Sequence, residues 1–591
     1  MDSVTDSLLY VGTLSELKAE GHRVVRGGRA PILVIWRDGK VYALDNRCPH
    51  LGFPLDRGSI EDGILTCHWH HARFDVTSGC TFDLWADDVP PGRVEIRGEE
   101  VWVAPECGFA DPAKHWKQRL HDGMAHNIAL VIGKAVLGSL AAGVAPSDLV
   151  RDAALFGARN RDGWGVGQTI LANLAGHLDR LPEETAYLAL YQGIRRVASD
   201  CEGETPRRDR QALVGAAAPL PTLENWLAKW SAVRQRNAAE RTLLTAVEAE
   251  VSQADLAAML LAVVNDRFFA DGGHALDFIN KCFDCLDVVG WDRAAVLLPT
   301  LIEGIVTAIG GEESDAWRNP IDLIALQEAA FQRLPEILSA ASEPRKGTAG
   351  ELEALADRLL AEDPQEVLAA LEEALASGLA GAEVGRALAY AAALRVARFG
   401  TANEFSDWDS AHHVFTFCNA VQQMLERAGE LESRERRIRC LRALYHGAMA
   451  LYLIRYLNRP PARLPDPEKA GDLPSEPDTL SRAILDSFDR QQQVSAAAAL
   501  VARHLDLGLP VDRLIATLAE ALLREDAGFH SFQILDAGIR QYDAWGGGTA
   551  GRNILIAVTR FLAAHAPTER AQFQTARIAR KLQRGGQVQD A

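Results

Sequence analysis

Two short segments near the amino end of the chain combine sulfur and nitrogen donors. Cys48 and His50 form a C-x-H pattern, and after sixteen intervening residues Cys67 and His70 form a C-x-x-H pattern. Two thiolates and two imidazoles can hold either zinc or an iron–sulfur cluster. Zinc ribbons and fingers usually pair like ligands at close spacing, whereas each segment here offers one Cys and one His. This mixture favours two irons with different ligands, and it predicts that the chain carries an electron.

Short strands are expected to position these donors. Residues 32–36 and 41–44 are rich in apolar side chains, and they flank a turn at Asp38-Gly39 that is typical of a β-hairpin. A second apolar pair, 94–96 and 101–103, flanks another short turn. The first hundred residues are therefore predicted to form a small all-β domain with the donors on its loops.

Residues 1–105 resemble the ferredoxin-type Rieske proteins and the N-terminal domains of ring-hydroxylating oxygenases. The likeness includes the segment 73–75, Arg-Phe-Asp, which follows the second donor segment as it does in that family. The resemblance implies a [2Fe–2S] cluster and a ligand set. That set consists of Cys48 and Cys67 on one iron and His50 and His70 on the outer iron.

Departures from the family pattern predict a low reduction potential. High-potential members carry an extra Cys in each loop, joined as a disulfide, and aim Ser and Tyr hydroxyls at the cluster sulfurs and a ligand Cys. Here Phe53 and His68 or Trp69 stand at the extra-Cys places, and Ala72 and Phe74 lack the hydroxyls. Fewer hydrogen bonds to sulfur stabilise the reduced cluster less. We therefore expect a midpoint of roughly −150 mV, at the low end of the Rieske range.

Composition narrows the class of protein. A chain of 591 residues suffices for two to four domains, and the formal net charge of −18 argues against nucleic acid and anionic membranes as partners. Nine scattered cysteines do not suggest a disulfide framework. The first residues do not form an apolar leader, and an uninterrupted apolar run of ~20 residues is absent. We therefore expect a cytoplasmic protein.

The character of the sequence changes after residue 105. Pro and Gly residues mark a linker, predicted at 106–112. Beyond it, apolar residues recur three and four positions apart in a sequence rich in Ala, Leu, Arg and Glu, as in amphipathic helices. We expect a multidomain chain in which the small all-β domain precedes a large all-α helical region. A break at 342–350 separates predicted helical domains at 113–341 and 350–591, which could equally form one unit.

Four places in the helical region put an acidic or small residue shortly before a His that is expected to open a helix. Asp, Ser and Gly at such places are N-cap signals, and the positive end of the helix dipole disfavours imidazolium. Neutral imidazoles can bind a metal or take part in acid–base chemistry. Each of them can equally be a structural residue with a satisfied ring. The candidate catalytic residues are His126, His274, His412, His413 and His530.

Carboxylates would complete such a site if it held iron, because iron sites combine imidazole with carboxylate. Asp271, Asp409 and Glu525 or Asp526 lie near the candidate histidines in the sequence. His565, in contrast, is expected at the surface.

The helical region also resembles the questin oxidase-like family, which is implicated in oxidative ring opening of anthraquinones. The likeness rests on 120–127, on His412-His413 and on Tyr445-His446. It implies oxidation of a carbonyl or aromatic substrate inside a helical pocket, and it does not supply a set of catalytic residues.

A standard Rieske oxygenase is disfavoured. Those enzymes hold a mononuclear iron with a D-x-x-H-x-x-x-x-H pattern and a distant Asp. Here His121 and His126 have the right spacing, but Gln118 replaces the acid. The catalytic domain of those enzymes is also built around a large sheet, which the helical periodicity here does not suggest.

Two functions of different classes remain open. In the first, the chain is an oxidoreductase, and a monooxygenase is one enzyme type that fits this function. Its cluster passes electrons to an oxidative pocket in the helical region, with or without a second metal there, and a small organic substrate is the partner. In the second, it is an electron carrier or redox sensor whose helical region docks a separate enzyme. Because the chain lacks a nucleotide-binding signature, electrons are expected from a separate reductase.

Overall fold

The computed structural model describes residues 8–586 except 29, 216, 217, 342 and 459. The first seven residues, which bear on the expected absence of a leader, and the first residue of the break at 342–350 lie outside the described residues. The chain forms two compact units. The first unit holds the described residues up to Leu149, together with Leu190–Glu202 and the residues from Ala571 onward. The second holds Val150–Ala189 and Gly203–Arg570.

The first unit begins with nine strands in two antiparallel sheets. The strands are Leu9–Thr13 (β1), His22–Val25 (β2), Ile32–Arg37 (β3), Lys40–Asp45 (β4), Ser59–Glu61 (β5), Ile64–Thr66 (β6), Arg73–Asp75 (β7), Pro91–Arg97 (β8) and Glu100–Cys107 (β9). A six-stranded sheet has the order β1-β9-β8-β4-β3-β2, and a three-stranded sheet has the order β5-β6-β7. The small all-β domain predicted from the sequence is confirmed.

The turn between β3 and β4 shows how the sequence sets the register. Arg37 pairs with Lys40 across it, and Asp38 and Gly39 both have positive φ, 48° and 80°. Two-residue hairpin loops of this kind need positive φ at both positions, which Asp-Gly supplies at low cost. Alternate side chains of β3 then face two different cores. Leu33 and Ile35 pack in the core that contains both donor cysteines, whereas Val34 packs in the other.

The described chain beyond the last strand is helical, and the predicted all-α region is confirmed. A short helix, Leu14–Glu20 (α1), lies between β1 and β2. The others are Pro112–Ala125 (α2), Ala129–Ala141 (α3), Pro146–Asn160 (α4), Val166–Ala175 (α5), Glu183–Cys201 (α6), Leu220–Ala232 (α7), Arg236–Glu248 (α8), Gln253–Val264 (α9), His274–Val289 (α10), Ala294–Leu297 (α11), Ile302–Thr307 (α12), Leu323–Ala340 (α13), Ala349–Arg358 (α14), Pro364–Ala376 (α15), Gly381–Ala397 (α16), Phe405–Ala428 (α17), Arg434–Leu453 (α18), Pro477–Phe488 (α19), Val494–Asp506 (α20), Val511–Leu523 (α21), Phe529–Trp545 (α22), Gly548–Ala564 (α23) and Ala571–Gln583 (α24).

Three helices of the first unit, α2, α3 and α24, pack together. α2 packs against α3, and α3 packs against α24. The side chain of Gln583 on α24 donates to the carbonyl of Leu137 on α3, at 3.1 Å. α3 is almost wholly apolar, and its single charged residue, Lys134, is buried.

In the second unit, α17 is the longest helix and packs against both α10 and α22. Buried polar side chains lie along these three helices, which is unusual for helices inside an apolar core and therefore draws attention to them. Among the described residues, Trp291–Glu313 has the length and mean hydropathy (1.7) of a membrane span, but 67% of its most apolar window is buried inside the structure. A core segment of a globular unit passes the same test.

Candidate functional site

The two donor segments near the amino end form loops of the same design. The Cys48 N–H donates to Phe53 O at 2.7 Å, and the Cys67 N–H donates to Ala72 O at 2.8 Å. In each loop the carbonyl of the Cys then accepts an N–H from the fourth residue along, Gly52 in the first and His71 in the second. Each Cys is therefore held at the start of a tight turn, and its His projects from the turn.

The four donors converge. Cys48 and Cys67 are 3% and 1% exposed, and their thiols share a hydrogen bond. That bond lowers the pKa of Cys67 to about 6 and raises the pKa of Cys48. The rings of His50 and His70 lie with their centroids 4.8 Å apart. The Nδ1 atom of His50 is buried without a hydrogen-bond partner, as expected for an atom that binds a metal.

Backbone groups complete the surroundings of the sulfur atoms. The N–H groups of His50 and Leu51 are directed at the Cys48 sulfur, and those of Trp69 and His70 at the Cys67 sulfur. Such hydrogen bonds stabilise negative charge on sulfur. Two sulfurs and two imidazoles in this arrangement fit a [2Fe–2S] cluster with mixed ligands.

Comparison with known proteins agrees with this geometry. A family model described as the Rieske [2Fe-2S] domain matches residues 7–88. Residues 7–88 are a Rieske [2Fe–2S] domain. The Rieske domain is 34% identical over 82 residues to human apoptosis-inducing factor 3, a match that covers 14% of each chain. It is 42% identical over 62 residues to oxidoreductase NdmD of Pseudomonas putida, covering 10% of each chain.

Oxygenase components also share the Rieske domain. Aminopyrrolnitrin oxygenase PrnD of Pseudomonas fluorescens is 38% identical over 74 residues, which are 12% of this chain and 20% of that protein. The solved ferredoxin of carbazole 1,9a-dioxygenase from Nocardioides aromaticivorans IC177 is 29% identical, with a TM-score of 0.16, over 17% of this chain and 99% of the ferredoxin. The chain therefore spans only a small part of its curated relatives, and the similarity to these relatives concerns iron–sulfur redox function.

The two ligand histidines implied by the Rieske resemblance differ in accessibility. His70 is exposed and lies against Trp69, at 4.4 Å between ring centroids. His50 is half-buried and meets the edge of Trp85 at 4.8 Å. Burial, and to a smaller extent the charges of His70 and Lys134, lower the pKa of His50 to about 4. His70 is therefore the more accessible of the two imidazoles.

The two residues that replace the hydroxyl-bearing Ser and Tyr of high-potential members lie in the core of the Rieske domain. Ala72 and Phe74 are fully buried in the same apolar cluster as the donor cysteines. Their side chains cannot donate hydrogen bonds to sulfur, which is the premise of the low midpoint expected from the sequence. That midpoint remains a prediction.

His71 adopts a backbone conformation that favours Gly. His71 has φ 62°, in the left-handed region, and it occupies the same place in its loop as Gly52, with φ 87°. A side chain costs roughly 1–2 kcal/mol there. We expect His71→Gly to raise the free energy of unfolding by about 1 kcal/mol, measured by urea denaturation of the cluster-loaded protein. His68→Gly at the neighbouring exposed position is the control. An unchanged or lower stability of His71→Gly would contradict the strain.

The second unit contains a second convergence of donors. His274 begins α10, His530 lies in the first turn of α22, and His413 lies inside α17. One ring nitrogen from each of the three lies within 4.8 Å of the others, as in a metal site. The Nε2 atoms of His413 and His530 are 3.0 Å apart. We call these three residues the three-histidine centre.

A carboxylate orients one member of the three-histidine centre. His530 Nδ1 lies 3.0 Å from Asp409 Oδ1. Although burial opposes it, the hydrogen bond from His530 lowers the pKa of Asp409, so this carboxylate is ionised and accepts a hydrogen bond from His530 Nδ1–H. In the neutral ring, with the proton on Nδ1, the Nε2 atom of His530 offers a lone pair to the centre. Metal-binding histidines are commonly oriented by a carboxylate in this way.

Burial keeps the other imidazoles neutral. It lowers the pKa of His274 to about 4 and that of His413 to about 3, with smaller contributions from the neighbouring histidines. His412 is fully buried, both of its ring nitrogens lack hydrogen-bond partners, and burial holds its pKa well below the usual value. Its ring lies 4.9 Å from that of His530. Three neutral imidazoles, those of His274, His412 and His413, thus lie beside His530 at pH 7.

The structure places the remaining sequence candidates elsewhere. His126 belongs to the first unit, is exposed, and ends α2 instead of opening a helix. His412 and His413 also do not open a helix, so the expected helix-start position is correct only for His274 and His530. The side chain of Asp271 accepts the Ile309 N–H at 2.8 Å.

The acidic candidates after residue 520 also have structural partners. Glu525 accepts hydrogen bonds from the N–H and hydroxyl of Thr568 and from Arg570. The Asp526 N–H donates to Thr568 Oγ1 at 2.7 Å. Asp409, also suggested by the sequence, contacts the three-histidine centre through His530.

Further residues surround the three-histidine centre. His565 was expected at the surface, but it is half-buried and stacks on Phe561 at 4.3 Å. Phe278 and Phe529 lie 5.6 and 5.7 Å from the ring of His274. These aromatic rings pack beside His274.

A cavity of 800 Å³ lies on the amino-terminal side of α17. One of its lining residues, Trp408, packs against Phe561, which in turn packs against His412 at 5.0 Å. Two aromatic rings, Trp408 and Phe561, therefore connect the cavity lining to His412. The lining is mixed in character, with Thr401, Asn403, Glu404, Ser406, Trp408, Gln492, Val494 and Ala564.

A buried charge network continues along the helices that carry His274 and His530. Lys281 of α10 is fully buried and pairs with Asp284, at 2.9 Å, and with Asp536 of α22. One turn nearer the centre, Gln533 of α22 donates to Asp277 of α10. Burial raises the pKa of Asp277 to about 6. These contacts fix the spacing of α10 and α22 and so the spacing of two members of the centre.

Proposed function

We propose that this chain is a Rieske iron–sulfur oxidoreductase whose second unit binds a redox-active metal ion at His274, His413 and His530 and oxidises a small organic substrate. The main support for this proposal is the convergence of three imidazole nitrogens within 4.8 Å of one another. Imidazole ligands suit iron, copper, nickel and zinc. Zinc has no redox chemistry, so a partner for single electrons would be a redox-active metal such as iron or copper. The [2Fe–2S] cluster would supply the electrons, which a separate reductase provides.

The protein groups around the centre support binding of such a metal. Asp409 lies 3.0 Å from Nδ1 of His530 and orients this ring, which leaves Nε2 facing the centre as the atom that would bind the metal. Burial keeps His274 and His413 unprotonated at neutral pH, and metal ligation requires the neutral ring. Three protein ligands leave coordination positions for O2 or substrate. These features favour a reactive metal over a closed structural one.

The substrate would occupy the neighbouring cavity. Its 800 Å³ accommodates an organic molecule of several rings. Hydroxyl, amide and carboxylate groups beside Trp408 suit an aromatic or carbonyl compound with polar substituents, the class implied by the resemblance to questin oxidase-like proteins. An electron carrier with a docking scaffold would not require buried neutral histidines around one point, so this convergence favours the oxidoreductase.

Single-turnover oxidation tests this proposal. The protein is reduced under anaerobic conditions, freed of reductant and mixed with O2, and reoxidation of the cluster is followed by its visible absorbance. Because the three-histidine centre would consume the electrons, His413→Ala is expected to reoxidise more slowly than the wild-type protein. Equal rates for the two proteins would instead support an electron carrier whose cluster reacts without the second unit.

A further inference from the structure

A buried lysine lies directly against the loop that holds two cluster ligands. Lys134 of α3 is 8% exposed, and its Nζ donates to the carbonyl of Pro49 at 2.8 Å. Pro49 stands between Cys48 and His50. This lysine follows the Rieske domain by more than forty residues, so a helix outside the family match delivers a charge to the cluster loop.

The preceding helix, α2, contacts the segment that packs against His50. Arg119 of α2 is buried, and its guanidinium donates to the carbonyls of Leu84 and Ala86 at 3.2 and 2.8 Å. Those carbonyls flank Trp85, whose ring edge meets His50 at 4.8 Å. α2 and α3 therefore hold both the ligand loop and its aromatic cover.

One buried carboxylate connects the two cations. Asp87, whose side chain is 2% exposed, forms an ion pair with Lys134 and a second one with Arg119 at 3.2 Å. Arg119 also pairs with the half-buried Asp122 at 3.1 Å. Lys134 is the cation that contacts the Cys48–His50 loop, because its Nζ donates to the carbonyl of Pro49. Its counter-charge, Asp87, is shared with Arg119.

We propose that Lys134 tunes the Rieske cluster, because its buried positive charge beside the Cys48–His50 loop stabilises the reduced form and raises the midpoint potential. Reduction adds one negative charge to the cluster, and a fixed cation interacts with that charge more strongly in a poorly solvated site than in water. α3 is then part of the redox centre, although it lies outside the residues that match the Rieske family model. The proposal depends on the Rieske domain alone and does not require a metal in the second unit.

The test compares midpoint potentials of charge variants in the full chain, with the reduced cluster quantified by EPR. Lys134→Met keeps the length and apolar stem of the side chain and removes the charge. Its midpoint is expected to fall, and the equilibrium constant for reduction by a common mediator to drop by about tenfold. Lys134→Arg keeps the charge and should restore most of the loss. Lys114→Met removes the same charge from an exposed position of α2 and should leave the midpoint unchanged, because water and salt screen it.

A second variant separates tuning from a merely structural role. Asp87→Asn removes the counter-charge and keeps Lys134, so its midpoint is expected to rise. Opposite shifts of Lys134→Met and Asp87→Asn, at unchanged cluster content, support the proposal. A midpoint of Lys134→Met equal to that of the wild type would overturn it, and so would shifts of both variants in the same direction. If Lys134→Met does not assemble a cluster, Lys134→Arg and Asp87→Asn decide the matter, and the absence of a rise in Asp87→Asn would overturn the proposal.

Discussion

Replacement of His413 by Ala is expected to remove the metal of the second unit and to leave the [2Fe–2S] cluster intact. His413 Nε2 faces the Nε2 of His530 at 3.0 Å, so the substitution removes one of three ligands from the middle of the centre. We expect metal affinity to fall by more than about 100-fold, because even partners that only orient a ligand contribute 10–100-fold. The measurement is total metal per chain after dialysis against a graded series of chelator concentrations.

Two further variants calibrate this result. Asp409→Asn keeps the volume of the side chain but loses the negative charge that holds the Nδ1 proton of His530. Its affinity for the metal is expected to fall by about 10–100-fold. His126→Ala changes an exposed His of the first unit and should not alter the metal content. A wild-type protein that holds only the two irons of the cluster, under conditions where iron and copper are supplied, would show that the three-histidine centre does not bind metal.

Replacement of His70 by Cys is expected to keep a cluster and lower its midpoint. A thiolate donates more negative charge than an imidazole, and clusters with four Cys ligands have potentials near −400 mV compared with about −150 mV or above for Rieske centres. We expect a shift on the order of 100 mV or more in the negative direction. His70 is exposed, so the substitution does not disturb the core around Cys48 and Cys67.

The neighbouring His68 provides a matched control for this change. It is exposed, its Nε2 lies 3.1 Å from Ser59 Oγ, and the resemblance does not make it a ligand. His68→Cys should therefore have the potential of the wild-type protein. A potential of His70→Cys equal to that of the wild type would mean that His70 is not a ligand.

The Rieske domain could be predicted in detail because its signals are local. The two donor segments lie within short loops, and Asp38-Gly39 specifies its hairpin by backbone preference alone. The contact of Lys134 with Pro49 spans 85 positions and has no local signal. The only trace in the sequence is a single charged residue in an otherwise apolar helix. Such long-range contacts depend on tertiary packing, which periodicity does not determine.

The helical candidates show how a useful residue set can follow from an incomplete reason. An acidic or small residue shortly before each histidine made the sequence analysis select His274, His412, His413 and His530. The structure places these four residues together. Asp409 was expected to cap a helix start. However, Glu404 and Asp407 form a reciprocal capping arrangement that begins α17 earlier. This earlier start places His412 and His413 inside the helix.

The sequence did not predict the end of α2 or the buried charge network of α10 and α22, and the reasons differ. Asn127 has φ 49°, so the chain leaves the helix at His126, where a helix start was expected. Asp277, Lys281 and Asp284 recur at helical spacing on α10, a pattern that is typical of a solvated face. Only the packing of α22 against this face shows that the three charges are buried and paired.

Electron paramagnetic resonance of the dithionite-reduced protein, together with its iron and acid-labile sulfide content, tests most directly whether the four donors hold a [2Fe–2S] cluster. We expect a reddish-brown protein with one Rieske-type signal per chain, two inorganic sulfides, and two irons that remain in the His413→Ala variant. A colourless protein after anaerobic reconstitution, or zinc bound at Cys48, His50, Cys67 and His70 instead of iron, would contradict this account.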